Sequence, residues 1–76
     1  MTELLEYIVK SLVDDPDSIE IKEIEKDKTT VYELRAAKSD IGKIIGKRGR
    51  TIGAIRILMN AASPREGNRT VLEIIE

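Results

Sequence analysis

Cysteine, histidine, tryptophan and phenylalanine are all missing from this chain of 76 residues. Without cysteine there is neither a disulfide nor a thiolate metal site, a composition that suits a reducing cytoplasm. Without histidine the commonest general base, the commonest metal ligand and the physiological-pH switch are gone. Catalysis would rest on carboxylates such as Asp14, Asp15 and Asp17, which look like a helix stop and an exposed acidic turn. No enzyme, metal site or cofactor is expected. The only aromatic residues are Tyr7 and Tyr32, too few for a platform on which nucleobases stack. No run approaches the roughly 18 apolar residues of a membrane span. The start, Met1-Thr2-Glu3-Leu4-Leu5-Glu6, is acidic and lacks the basic opening of a signal peptide.

What is present is charge, unevenly distributed. The formal net charge is −1 and the isoelectric point is near 5.5, values that taken alone argue against a polyanionic partner. Residues 1–34 hold four basic and ten acidic side chains, whereas residues 35–69 hold nine basic and two acidic, Asp40 and Glu66. Local field, not net charge, decides where a polyanion settles. One positive face can coexist with an acidic remainder that keeps the protein soluble.

The length fits one domain, residues 1–76. Leu4, Leu5, Ile8, Val9 and Leu12 recur on one face of a helix over 3–13, with Thr2 a candidate cap. Asp14-Asp15-Pro16-Asp17 stops it. Ile19, Ile21 and Ile24 mark a strand over 18–25 whose alternation slips, which predicts a bulge or a short strand. Lys26-Asp27-Lys28 is a polar turn. From Thr29 to Ala36, Tyr32, Leu34 and Ala36 share one face, completing an antiparallel hairpin. Ser39 or Asp40 can cap a short helix through Ile45. A longer helix runs from Arg50 to about Ala62, residues 63–68 form a loop with both helix breakers, and Arg69–Ile75 is a last strand. The order α-β-β-α-α-β predicts an α+β layer, three strands with three helices packed on one face. A last strand that returns after helices can run parallel to a neighbour, giving a mixed sheet.

Between the second and third helices stands Ile44-Ile45-Gly46-Lys47-Arg48-Gly49-Arg50-Thr51-Ile52. Glycine allows a backbone to approach a ligand closely. Lysine and arginine are the usual partners of phosphate. The loop feeds a helix N-terminus, where free N–H groups and the helix dipole favour an anion. Two glycines three apart arise by chance in roughly a third of chains this long. The flanking isoleucines, the basic pair and the setting between helices make the pattern far rarer. A Walker A loop needs four residues between its glycines and then Lys-Ser or Lys-Thr. Gly42 and Gly46 have three between them, and Lys47 is followed by Arg48. A dinucleotide fingerprint needs a βαβ unit that is absent from this pattern.

The run Ile45-Gly46-Lys47-Arg48-Gly49-Arg50-Thr51-Ile52 resembles the KH signature, in which a Gly-x-x-Gly loop grips single-stranded RNA. An N-terminal helix and strand pair before the motif, and a closing strand after it, resemble the type II KH arrangement. The Glu-Leu-Arg strand, the Ile-Gly-Lys-Ile-Ile-Gly-Lys-Arg-Gly-Arg-Thr run and the Val-Leu-Glu-Ile-Ile end are similar to small bacterial single-KH-domain RNA-binding proteins of the KhpA family. The resemblance covers nearly all of the chain. It implies a type II KH domain, a cytoplasmic setting, single-stranded RNA as ligand and a role in post-transcriptional regulation. It further implies a homodimer, or pairing with a second KH-containing RNA-binding protein. DNA stays open as a ligand, since such a groove can accept either strand.

On this reading Lys47 and Arg48 contact phosphates, helped by backbone amides around Gly46 and Gly49. Lys43, Arg50 and Arg56 are candidates to extend the patch, each as readily a plain surface charge; Arg35 and Lys38 have weaker claims. Ile45 and Ile52 are expected mainly in the core. Ile41, Ile44 and Leu34 are candidates for a groove floor, and Gly42 is either a point of close approach or a packing glycine. On the long helix, Ile52, Ile55, Leu58, Met59 and Ala62 form one face. Ala54, Ile57 and Ala61 widen the apolar arc to roughly 220°, well beyond the stripe of about 100° that a surface helix needs. These three are candidates for a dimer contact. The competing function is a protein-assembly module in which RNA contact is incidental.

Overall fold

Leu5 and Val9 lie one turn apart on the first helix and both are fully buried. That spacing is what an amphipathic helix needs to lay one face on a sheet. The computed structural model describes residues 1–62 and 68–76. Its elements are α1 (Thr2–Leu12), β1 (Glu20–Lys26), β2 (Thr29–Arg35), α2 (Lys38–Ile45), α3 (Arg50–Ala61) and β3 (Arg69–Ile74). Short 3₁₀ turns cover Pro16–Ser18 and Lys47–Gly49. The order is the expected α-β-β-α-α-β. The loop expected at 63–68 lies, apart from Asn68, outside the described residues.

The sheet is ordered β1-β2-β3. Strand β2 pairs antiparallel with β1 and parallel with β3, so the sheet is mixed. Tyr32 and Leu34 of β2 and Leu72 of β3 meet Leu5 and Val9 of α1, Ile44 of α2 and Ile52, Ile55 and Met59 of α3 in a single core. The hairpin turns at Asp27, whose φ of 50° is a left-handed angle that aspartate tolerates.

Register explains the slipped alternation of β1. Pairing runs unbroken from Glu20 with Arg35 to Lys26 with Thr29, so there is no bulge. Ile21 pairs with Leu34 and packs on the core. Ile24, three residues on, must face the other way. There it joins Val31 and Val71 in an aliphatic row across the uncovered side of the sheet.

Two expected caps are corrected. Thr2 is the first helical residue of α1, with Met1 before it, and its hydroxyl donates to Glu23 Oε1 at 3.1 Å. Helix α2 begins at Lys38, too early for Ser39 or Asp40 to cap it, and Ala37 precedes it with no side-chain bond. Asp40 instead serves another segment. Its Oδ1 and Oδ2 accept the backbone N–H groups of Asp14 (3.2 Å) and Asp15 (3.0 Å), where the chain leaves α1. These bonds tie the end of α1 to the helix that carries the Gly-x-x-Gly loop.

Candidate nucleic-acid interface

Helix α2 ends where Gly46 N–H reaches the carbonyl of Gly42 at 2.9 Å. Gly46 then takes φ 75° and ψ 173°, a region closed to residues with a Cβ. A Cβ there would overlap Thr51 Oγ1 and stand 2.6 Å from Thr51 Cβ. Arg48 (φ 58°, ψ 27°) and Gly49 (φ 71°, ψ 15°) are both left-handed. Gly49 N–H closes the turn on Gly46 C=O at 3.2 Å. The backbone N–H groups of Lys47 and Arg48 have no backbone acceptor among the described residues. No side chain among the described residues caps α3. A turn of this kind is a concavity of N–H donors, a form that suits an anion.

Lys47, Arg48 and Arg50 are exposed and make no ion pair among the described residues. Their charges therefore stand at the solvent-exposed surface of the loop. Lys43 differs. Its ammonium pairs with Asp14 Oδ2 and lies 3.5 Å from Asp40 Oδ1. The Asp14 carboxylate, and then Asp40, hold the Lys43 pKa above its usual value. The Asp40 carboxyl is held below its usual value, chiefly by the Asp14 N–H and further by the Asp15 N–H and Lys43. Lys43 is thus paired at the surface, with Asp14 and Asp40. Arg56 is exposed, and its guanidinium donates to the carbonyl of Leu72 at 2.9 Å, across to β3.

The isoleucines divide. Ile52 is buried in the core as expected, and Ile44 and Leu34 are fully buried. With no surface, the last two support the site from beneath and do not line it. Ile41 is 7% exposed. Ile45, expected in the core, is 36% exposed at the lip of the loop. Ile41 and Ile45, four apart, share one flank of α2. Gly42 has no packing reason to be glycine, since a Cβ there would meet nothing within 4 Å. The same holds for Gly53, which the sequence reading passed over. Asp40 was also missed as a structural anchor. Its signal was its place one turn before Ile44, on the inward face.

On α3 the buried stripe is Ile52, Ile55 and Met59. Ala54 and Ala61 are exposed, as are Ile57 (71%) and Leu58 (53%). Leu58 and Ala62 were expected inward; the sheet and α1 cover only a stripe of ordinary width, and both stay outside it. A cavity of about 500 Å³ opens elsewhere, between Met1, Leu4 and Tyr32. Glu23, Glu25 and Asp27 line it as well, which makes it hostile to a polyanion. Burial, and then Glu23, push the Tyr32 pKa up to about 12. No helix among the described residues is long and apolar enough to cross a membrane.

Comparison with known proteins supplies the family. The model described as "KhpA/KhpB, KH domain" matches residues 2–74. The RNA-binding protein KhpA of Chlamydia trachomatis serovar D is 53% identical over 76 residues, covering 100% of this chain and 97% of that protein. The protein of the same name from Borreliella burgdorferi is 50% identical over 74 residues, 97% of this chain and 90% of its own. That of Clostridium acetobutylicum is 47% identical over 75 residues, 99% of this chain and all of its own. No solved structure matches. With a type II KH order, a Gly-Lys-Arg-Gly loop and end-to-end similarity to these relatives, the chain belongs to the KhpA/KhpB KH-domain family.

Proposed function

We propose that this protein binds short single-stranded RNA, clamping the sugar-phosphate backbone with the Gly46–Gly49 loop. It works as a binding module and not as an enzyme. The observation that carries the reading is the loop itself. Gly46, Arg48 and Gly49 take positive φ angles, the Lys47 and Arg48 N–H groups have no backbone acceptor, and Lys47, Arg48 and Arg50 beside them make no ion pair among the described residues. Relatives about half identical along their whole length carry the name RNA-binding protein. Ile41 and Ile45 offer an aliphatic margin, and Gly42 leaves α2 bare enough for a backbone to approach. Ile44 acts from below, by holding α2 to the sheet. Lys43 contributes little while Asp14 and Asp40 hold it. The footprint of such a loop is about four nucleotides, so affinity is modest and a second site adds avidity. The setting is cytoplasmic and the role post-transcriptional.

The second site comes from a dimer, homotypic or with a second KH-containing RNA-binding protein, through Ala54, Ile57 and Ala61. The exposure of Ile57 and Leu58 on one helix favours this, since such a patch marks an interaction surface. The same patch supports the rival function, an assembly module in which RNA contact is incidental.

The deciding experiment is the double variant Lys47→Asp/Arg48→Asp, titrated with short single-stranded RNA and checked for fold by NMR. Loss of affinity on the order of 100-fold with an intact spectrum is expected. Undiminished affinity would remove the loop from the mechanism and leave the assembly module.

A further inference from the structure

The sheet turns one face to the helices and leaves the other bare. Tyr32, Leu34 and Leu72 are buried on the covered side, so alternation sends their strand neighbours to the open side. Register lays these in rows across the strands. Lys26 and Arg69 flank Thr29 in one row, and Ile24, Val31 and Val71 form the next. Glu33 and Glu73 stand side by side in the third, with Lys22 on the other side of Glu33. Along the strands the face therefore runs from a basic pair through an aliphatic strip to an acidic pair. Like charges side by side on neighbouring strands repel. None of Lys26, Glu33, Arg69 and Glu73 makes an ion pair among the described residues.

A two-fold rotation matches this pattern to itself. The axis lies between two such faces and crosses the strands at Val31. Each aliphatic strip then covers its copy, and Lys26 and Arg69 of one chain stand over the Glu33–Glu73 end of the other. Arg69 and Glu73 flank Val71 on β3, so β3 laid antiparallel over its copy sets guanidinium against carboxylate in both directions. Stacked sheets sit about 10 Å apart with strands within roughly 30° of alignment, a gap that these long side chains close together. Lys22 is the one misfit, near Lys26 of the copy, and it stands opposite Glu33 in its own sheet. Stacking with the strands parallel would instead put basic row on basic row and acidic on acidic.

The face is small. Three strands of six or seven residues cover roughly 300 Å², against about 800 Å² that each partner gives to a stable complex. Free copies are not held together by so little. Copies tethered to one strand are, because a tether makes the contact intramolecular, at an effective concentration in the millimolar range. We propose that two copies of this protein bound to one RNA strand dock open sheet on open sheet about this axis, and so bind cooperatively. This rests on the RNA-clamp reading above. The Gly46–Gly49 loop joins two helices of the covered side, so docking leaves it free.

The test is titration of wild type, Lys26→Glu/Arg69→Glu and Glu33→Lys/Glu73→Lys with an oligouridine of about four nucleotides and with one several times as long. None of the four side chains belongs to the core, and NMR spectra check each fold. On the long strand wild type should give a sigmoidal isotherm, the first copy tightening the second by roughly 5- to 150-fold. Each variant alone should lose that cooperativity, because both end rows of every copy then carry one sign. An equimolar mixture of the two should restore it, since the basic rows of one variant meet the acidic rows of the other. The apolar face of α3 is unchanged throughout, so any contact made there is common to all. Cooperativity kept by both variants alone, or not restored by the mixture, would overturn the proposal. Wild type that binds the short strand but fills the long one without cooperativity overturns the docking alone. Absence of wild-type binding to the short strand at low salt overturns the clamp, and the docking with it.

Discussion

Thr51 fills the space that a side chain on Gly46 would need. A Cβ at Gly46 overlaps Thr51 Oγ1 and also approaches the Thr51 backbone nitrogen at 2.9 Å. The first turn of α3 is therefore packed directly on the end of α2, with the basic loop thrown outward between them. Gly49 has a positive φ as well, but a Cβ there meets open space. The two glycines of the motif are thus required for different reasons, and substitution should separate them. Gly49→Ala should cost about 1 kcal/mol, the strain of a left-handed alanine. Gly46→Ala combines a glycine-only backbone region with a steric overlap and should cost about 3 kcal/mol. Urea denaturation of the two variants checks this, and equal losses would contradict the role of Thr51.

The ion pairs make a prediction about salt. Each phosphate neutralised on a single strand adds about 0.7 to the slope of log affinity against log salt. Lys47→Gln should reduce the slope by about that amount. Lys43→Gln, although only four residues away, should leave the slope unchanged, because Asp14 and Asp40 already hold that ammonium. A matching decrease for Lys43→Gln would mean that RNA pulls the lysine from its carboxylates.

Asp40 gives the fold an acid-sensitive anchor. Its pKa is lower in the folded protein than its ordinary value of 3.8, chiefly through the Asp14 N–H. A depressed carboxylate contributes stability that is present above the unfolded pKa and is lost as pH falls through the folded one. Lys43, raised by Asp14, has the opposite sense: its contribution is full below its ordinary value of 10.5 and is lost as pH rises through the folded one. At neutral pH both act. Asp40→Asn turns an acceptor into an amide that cannot accept both N–H groups. It should lower the melting temperature clearly at neutral pH, and by less and less as pH falls below 3.8 through the lowered pKa of Asp40. A gap that never shrinks as pH falls, down to the acid unfolding of the protein, would show that the charge of Asp40 is irrelevant.

Much of this was legible in the chain. Period-two burial at Tyr32 and Leu34, and period-3.6 burial at Leu5 and Val9, are strong signals because one face of each element is wholly inside. The Gly-x-x-Gly loop was legible because only glycine tolerates the backbone found at position 46. What failed shares a cause: pairwise geometry that no local pattern encodes. Ile24 looked like a slipped register because it packs on the uncovered face of the sheet. The ion pair of Lys43, a candidate for the patch or a plain surface charge, went unseen because Asp14 lies 29 residues away in the chain. The bond from Arg56 to Leu72 C=O was not legible because the pairing that sets β3 beside α3 joins distant segments. Leu58 was read inward because a helical wheel gives the width of an apolar arc but not which part a neighbour covers.

That uncovered arc carries the last prediction. Ile57 is 71% exposed and Leu58 53%, with Ala54 and Ala61 beside them on α3. Small residues around a branched one let two helices approach closely, as a symmetric contact between copies requires. Ile57→Asp sets a charge on an exposed site outside the core formed by the described residues, so the fold should survive unchanged. Sedimentation at rising protein concentration should then report a monomer for the variant and a dimer for the wild type. RNA binding should persist in the variant with lower apparent affinity, because the loop is intact and only the second site is lost. A variant that remains dimeric removes this face of α3 from the interface. One that becomes monomeric with undiminished affinity shows that a single loop suffices, which detaches the clamp from any need for a partner.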